Sequence, residues 1–166
     1  MANKGGRRGL TAPQIEHEIE TCRELEHWTK VEVLAEKLKS LNSEPNCSQF
    51  VTLSNFLTGE AKLEQYLQEH PPLRNPATAD EAKTGLFEAK KCLLSTIGDD
   101  AKQLGVHLDS FILLGKLHYA EFAFEEALKY YERANIDCLE EKQLPPRSLK
   151  IMAEAFAIKA TCLEKI

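Results

Sequence analysis

Nowhere does this chain alternate apolar and polar residues as a half-buried strand would, and that absence narrows its fold before any motif is read. Long hydrophobic runs are also missing. The longest, such as Phe111 to Leu114, fall far short of the roughly 20 residues a membrane-spanning helix needs. There is no cationic excess: 21 Lys and Arg stand against 26 Asp and Glu, a net charge of -5, so the whole chain has no attraction for nucleic acid or anionic lipid. Ala2 occupies the place where N-myristoylation requires glycine. The five cysteines, Cys22, Cys47, Cys92, Cys138 and Cys162, form no C-x-x-C pair and follow no apolar signal segment. Odd in number and scattered, they read as reduced thiols of a cytosolic protein, not as a disulfide framework. The formal sequon Asn46-Cys47-Ser48 means little without a secretion signal.

Signatures of chemistry are absent too. No G-x-S-x-G, no phosphate-binding G-x-x-x-x-G-K and no G-x-G-x-x-G occurs. His17, His27, His70, His107 and His118 show no H-E-x-x-H spacing, and none stands near a cysteine at zinc-ligand distance. His17 is expected on the exposed side of a first helix, and His118 in place of a core aromatic. Asp99-Asp100 reads as a turn, and Glu125-Glu126 as acids complementing the dipole of a helix first turn. The expectation is a non-enzyme with no catalytic residue, no cofactor and no metal site.

What the chain does contain is helical periodicity, with 43% hydrophobic residues for a core and 28% charged residues for its surface. Residues 1–11 form a Gly-rich tail in which Lys4, Arg7 and Arg8 are the cations. Three cations, each worth roughly 1 kcal/mol near an anionic surface, are too few for firm membrane binding, so the tail reads as disordered. Thr11 is a candidate N-cap with Pro13 in the first turn, and Ile15, Ile19, Cys22 and Leu25 form one stripe. Val31, Leu34, Ala35, Leu38 and Leu41 form the stripe of a second helix, with Trp28 packed at the junction. A third runs from about 48 to 70, where Gly59 is expected to bend or interrupt it and His70-Pro71-Pro72 to stop it. Asp80-Glu81 opens a fourth, carrying Leu86, Leu93 and Ile97 and closed by Gly98-Asp99-Asp100. Helices at 107–121 and 123–135 and a last one from Pro146 complete seven. The predicted fold is all-α, with antiparallel hairpins stacked as an α-solenoid.

One segment is specific. Residues 108–141 fit a helix–turn–helix template of about 34 residues. Leu114-Gly115 supplies the leucine–glycine pair of the first helix, and Phe124, Ala127, Tyr131 and Ala134 follow at the offsets of the second. Two antiparallel helices approach closely only where a side chain is nearly absent, and Gly115, Ala127 and Ala134 provide such places. Phe111, Leu114, Phe124 and Tyr131 then fill the space beside them. This is the pattern of a tetratricopeptide (TPR) repeat, although His118 stands for an aromatic and Leu139 for the closing proline. Residues 12–98 are read as TPR-like helices ahead of it. Residues 146–166 are read as the first helix of a following repeat. From Leu149 to Leu163 that helix has apolar residues around its whole axis, which predicts partners on all sides, a longer solenoid, and self-association of the chain alone.

The helices resemble those of the tetratricopeptide repeat protein 7 family. The likeness begins at Ile15-Glu16-His17-Glu18-Ile19-Glu20-Thr21-Cys22-Arg23 and continues through His27-Trp28 and Val33-Leu34. It resumes at Glu88-Ala89-Lys90 and is strongest over Leu113-Leu114-Gly115-Lys116-Leu117-His118-Tyr119. Tyr131 to Asp137 and Ser148 to Glu164 extend it, while the loops at 42–49 and 70–80 diverge. The resemblance implies a scaffold that joins a phosphatidylinositol 4-kinase type III alpha to a hyccin-like subunit. A lipidated membrane anchor protein would recruit that assembly from the cytoplasm to the plasma membrane, with no membrane insertion by the scaffold itself. The alternative is a TPR adaptor for peptide tails of chaperones. Such adaptors hold a terminal carboxylate with a lysine and an asparagine; the corresponding places here hold Ile112 and Lys116, so that reading loses ground. A third possibility is the helical N-terminal part of an enzyme.

Overall fold

The computed structural model describes residues 10–41, 47–71, 77–138 and 146–166. The cations Lys4, Arg7 and Arg8, Asn46 of the sequon, Leu139 and Pro145 lie outside them. Among the described residues there are nine α-helices, one 3-10 turn at Ile136–Cys138, and no strand. Three hairpins follow one another. The first is α1 (Ala12–Glu24) with α2 (Trp28–Ser40), and the second is α3 (Cys47–Glu69) with α4 (Ala79–Gly85) and α5 (Phe87–Leu94). After a short α6 (Asp99–Gln103) comes the third, α7 (His107–Ala120) with α8 (Phe124–Ala134); α9 (Pro146–Lys165) then packs on α7 and α8. Each of α2, α3, α5, α7 and α8 packs on its neighbours in this series, as the layers of a solenoid do.

Local chemistry starts these helices. A capping box joins Thr11 and Gln14 at α1, whose side-chain oxygen accepts from the Thr11 N–H at 2.9 Å, and Pro13 lies in the first turn. Thr78 and Glu81 make the same reciprocal arrangement at α4. The turns that end α1 and α7 share one form. Glu26 and Phe122 adopt left-handed backbone, φ 57° and 60°, and the next N–H returns to the first helix: His27 to the Cys22 carbonyl, Ala123 to that of His118. Gly105 at φ 74° serves the same turn ahead of α7.

The core is two joined clusters. One runs from Ile15, Ile19 and Cys22 through Trp28, Val31, Leu34 and Leu38 to Phe56, Leu86, Leu93 and Leu114. The other binds α7, α8 and α9 through Ile112, Tyr131, Ala134 and Ala155.

Several expectations are corrected. The single helix expected over 80–98 is two, broken at Leu86, whose side chain is buried. Asp99-Asp100 is not a closing turn but the first turn of α6, so nine helices stand where seven were expected. Gly59 does not interrupt α3, which is one helix from Cys47 to Glu69. A Cβ there would lie 2.8 Å from Leu93 Cγ, so this glycine lets α5 approach. Leu25 and Leu41 end their stripes in solvent rather than in the core.

Candidate functional site: a charged groove

Helices α1, α3, α7 and α9 surround a cavity of about 780 Å³. Its floor is α7, where Ile112, Leu113 and Lys116 face it; Arg23 enters from α1, Glu60 and Glu64 from α3, and Arg147, Lys150 and Glu154 from α9. The apolar stripes of α1 and α3 pack into the core on their other sides, so these charged positions meet one another across the cavity.

They meet as three ionic groups. Glu60, almost wholly buried, accepts from Arg23 Nε at 2.8 Å and Nη2 at 3.1 Å, and also pairs with Arg147. Arg23 reaches Glu20 as well, and its guanidinium lies 5.6 Å over the Phe56 ring; that of Arg147 lies 5.8 Å over Trp28. Burial alone would lower the Arg23 pKa, but the charge and hydrogen bonds of Glu60 outweigh it, so the guanidinium is held more firmly protonated. The second group centres on Lys116, whose ammonium donates to Glu64 at 2.6 Å and Glu154 at 2.9 Å. Burial would again lower its pKa, and the two carboxylates more than reverse that. Glu64 shifts up, because its burial exceeds the pull of Lys116 and because Glu154 and Glu60 repel its charge. At the mouth, Lys150 pairs with Glu26, the residue in the left-handed turn.

Tyr131 also lines the cavity, and its buried hydroxyl has no hydrogen-bond partner among the described residues. Tyr131 belongs to α8 and reaches the groove past α7 only at Gly115, where an added Cβ would meet its ring at 2.7 Å. Burial drives its pKa far above the ordinary value, so it stays an O–H donor.

Of the seven repeat positions expected from the sequence, Phe111, Leu114, Gly115, Ala127, Tyr131 and Ala134 are buried. Phe124 is only half-buried; it lies 6.1 Å from Tyr119 and 6.3 Å from Phe122, near the end of the hairpin. His118 is buried and stacks 5.1 Å over Tyr130, filling the place expected for an aromatic. His17 is exposed. Periodicity gave no sign of Glu60 and Arg147 as partners in one site. They are 87 residues apart, and only stacking brings them together. Among the described residues no group of three or more His, Cys, Asp or Glu could hold a metal ion, and no helix is long and apolar enough to cross a membrane.

With this architecture in view, the model of the tetratricopeptide repeat protein 7 N-terminal region matches residues 5–166. The chain belongs to the tetratricopeptide repeat protein 7 family. It is 35% identical to human tetratricopeptide repeat protein 7B over 153 residues, covering 92% of this chain and 17% of that protein. The mouse 7B protein is 33% identical over the same span, and human 7A is 29% identical over 181 residues, covering 100% of this chain and 21% of that relative. The chain therefore spans about a fifth of the length of these relatives.

Proposed function

We propose that the protein is a non-catalytic scaffold that stabilises a phosphatidylinositol 4-kinase type III alpha and positions it at the plasma membrane. A hyccin-like subunit and a lipidated membrane anchor protein complete the assembly, and the scaffold itself stays cytoplasmic until its partners recruit it. Family membership across nearly the whole chain carries this reading. Residues 107–141 serve as a TPR repeat, 12–98 as TPR-like helices before it, and 146–166 as the first helix of the unit after it. Phe111, Leu114, Gly115, Phe124, Ala127, Tyr131 and Ala134 act in it as packing positions, not as contacts to a substrate. The chaperone-tail alternative finds no support in the groove, where Ile112 and Lys116 stand for the clamp's lysine and asparagine and Lys116 is already held between two carboxylates.

Affinity purification of the tagged protein from cells tests the proposal. Recovery of the kinase and the hyccin-like subunit is the expected result. Recovery of neither, together with tight binding to acidic C-terminal peptides, would replace this reading with the chaperone adaptor.

A further inference from the structure

We infer that the small hollow at the shared end of α3, α7 and α9 docks a leucine of a protein partner, with an acidic residue beside that leucine answering Lys165. It adjoins the charged groove, Leu67 and Tyr119 lining both, and three observations set it apart whichever kinase or anchor the protein serves. The first is shape. About 110 Å³ is lined by Leu67, Tyr119, Ala120, Phe122 and Phe124, at the turn from α7 to α8. Phe124 lies 6.1 Å from the Tyr119 ring and 6.3 Å from that of Phe122, which it meets edge-on. A cavity of roughly 150 Å³ takes a benzene ring, so this one takes a single aliphatic side chain of leucine size.

The second observation is Phe122. Its backbone is left-handed, φ 60°, a conformation that a bulky residue rarely adopts, and the residue is still 47% exposed. The matching turn after α1 places Glu26 there, a polar residue paired with Lys150. A phenylalanine at this position strains the backbone and leaves apolar surface in water, and strain held in this way gathers at ligand clamps. The third observation is charge. No carboxylate lines the hollow, although Asp and Glu outnumber Lys and Arg by 26 to 21 in the chain. Its polar members are Tyr66, His70, Thr161 and Lys165. The Thr161 hydroxyl already donates to the Ala157 carbonyl, and the adjacent Glu121 is held by Lys90. Lys165 is exposed and makes no ion pair among the described residues. An acidic residue beside the docked leucine therefore gains a cation without breaking an existing pair, whereas a lysine there meets repulsion.

The test is a titration of the dilute, isotope-labelled protein with short peptides amidated at the C-terminus, read by amide NMR shifts. One peptide carries a leucine between glutamates, one has lysine for each glutamate, and one has serine for the leucine. The glutamate–leucine peptide is expected to shift the amides of Phe122, Phe124 and Thr161 saturably, and the other two to bind markedly more weakly. Phe122→Gly should weaken binding roughly tenfold while melting close to the parent, because glycine suits the left-handed turn. Lys165→Gln should weaken it about threefold, as loss of one exposed ion pair does, and remove the preference for glutamate over lysine. No saturable binding, equal binding of the three peptides, shifts confined to the charged groove, or unchanged affinity in both variants would each overturn the assignment. Should Phe122→Gly fail to fold, Lys165→Gln decides alone, and an unchanged preference for glutamate overturns it. The peptides carry no free terminal carboxylate, so their binding is no sign of a chaperone adaptor, and recovery of the kinase from cells is independent of it.

Discussion

The Tyr131 ring lies 2.7 Å from where a Cβ on Gly115 would stand, so a residue of α8 crosses α7 through the one place where that helix has no side chain. This contact ties the packing of the repeat to the groove. With a side chain in place of the glycine, the Tyr131 ring could not lie where it lines the cavity. Gly115→Leu, or Ala127→Phe at the other close approach, should therefore force α7 and α8 apart at a cost of about 1–3 kcal/mol or more. Thermal unfolding measures it; a variant melting with the parent would mean that the two helices do not meet in this register.

Tyr131→Phe tests the opposite sign. In the free chain the hydroxyl is buried without a partner, so its removal should stabilise the fold by about 1 kcal/mol. A higher urea midpoint with an unchanged slope is the expected result.

Glu60 pairs with two guanidiniums at once. Glu60→Gln leaves Arg23 and Arg147 facing each other with that compensation removed and should cost about 3 kcal/mol, since breaking a buried pair costs more than the pair contributes. Hydrogen exchange should show the loss first in α9, whose Arg147 bridges to α3 through this carboxylate.

Glu121 gives the pH dependence a defined sign. Burial would raise its carboxyl, but contact with His118 and the hydrogen bond from Lys90 outweigh it and hold it below the usual 4.5. A lowered folded-state pKa contributes stability that is complete above the unfolded value and lost as pH falls through the folded one. Glu64 and Asp109, both raised chiefly by burial, act in the opposite sense. The difference between the parent and Glu121→Gln isolates the residue. The parent's advantage in urea midpoint should shrink as pH falls below 4.5.

Helix α9 shows Leu149, Phe156 and Leu163 on one exposed stripe, each 40–60% accessible in round terms, with Ile166 beyond it. The 166-residue chain should self-associate at high concentration, read by light scattering, and Leu163→Glu should reduce that association. A monomer at every concentration would mean that this stripe is solvated without consequence.

Most of the hairpin plan was legible in order and type. Thr11 and Pro13 announced α1, and the small residues at 115, 127 and 134 announced the α7–α8 contact. Leu86 was misread because a buried leucine between two short helices has the same spacing as one inside a single helix. Gly59 was misread because helix propensity sees only the cost of glycine, while its use depends on Leu93 of α5. The equivalent turns at Glu26 and Phe122 share no residue type, so only backbone geometry reveals them.

The sequence by itself determined the helical class, most of the helices and the cap of α1, because these follow from spacing and from chemistry within a few residues. Tertiary structure alone decided that Glu60 would sit between Arg23 and Arg147, that Lys116 would lie between two glutamates, and that the Tyr131 ring would pack against Gly115. Charges spaced along separate helices carry no signal of their partners. The distance between them is fixed only when apolar faces stack and the remaining side chains must share what space is left.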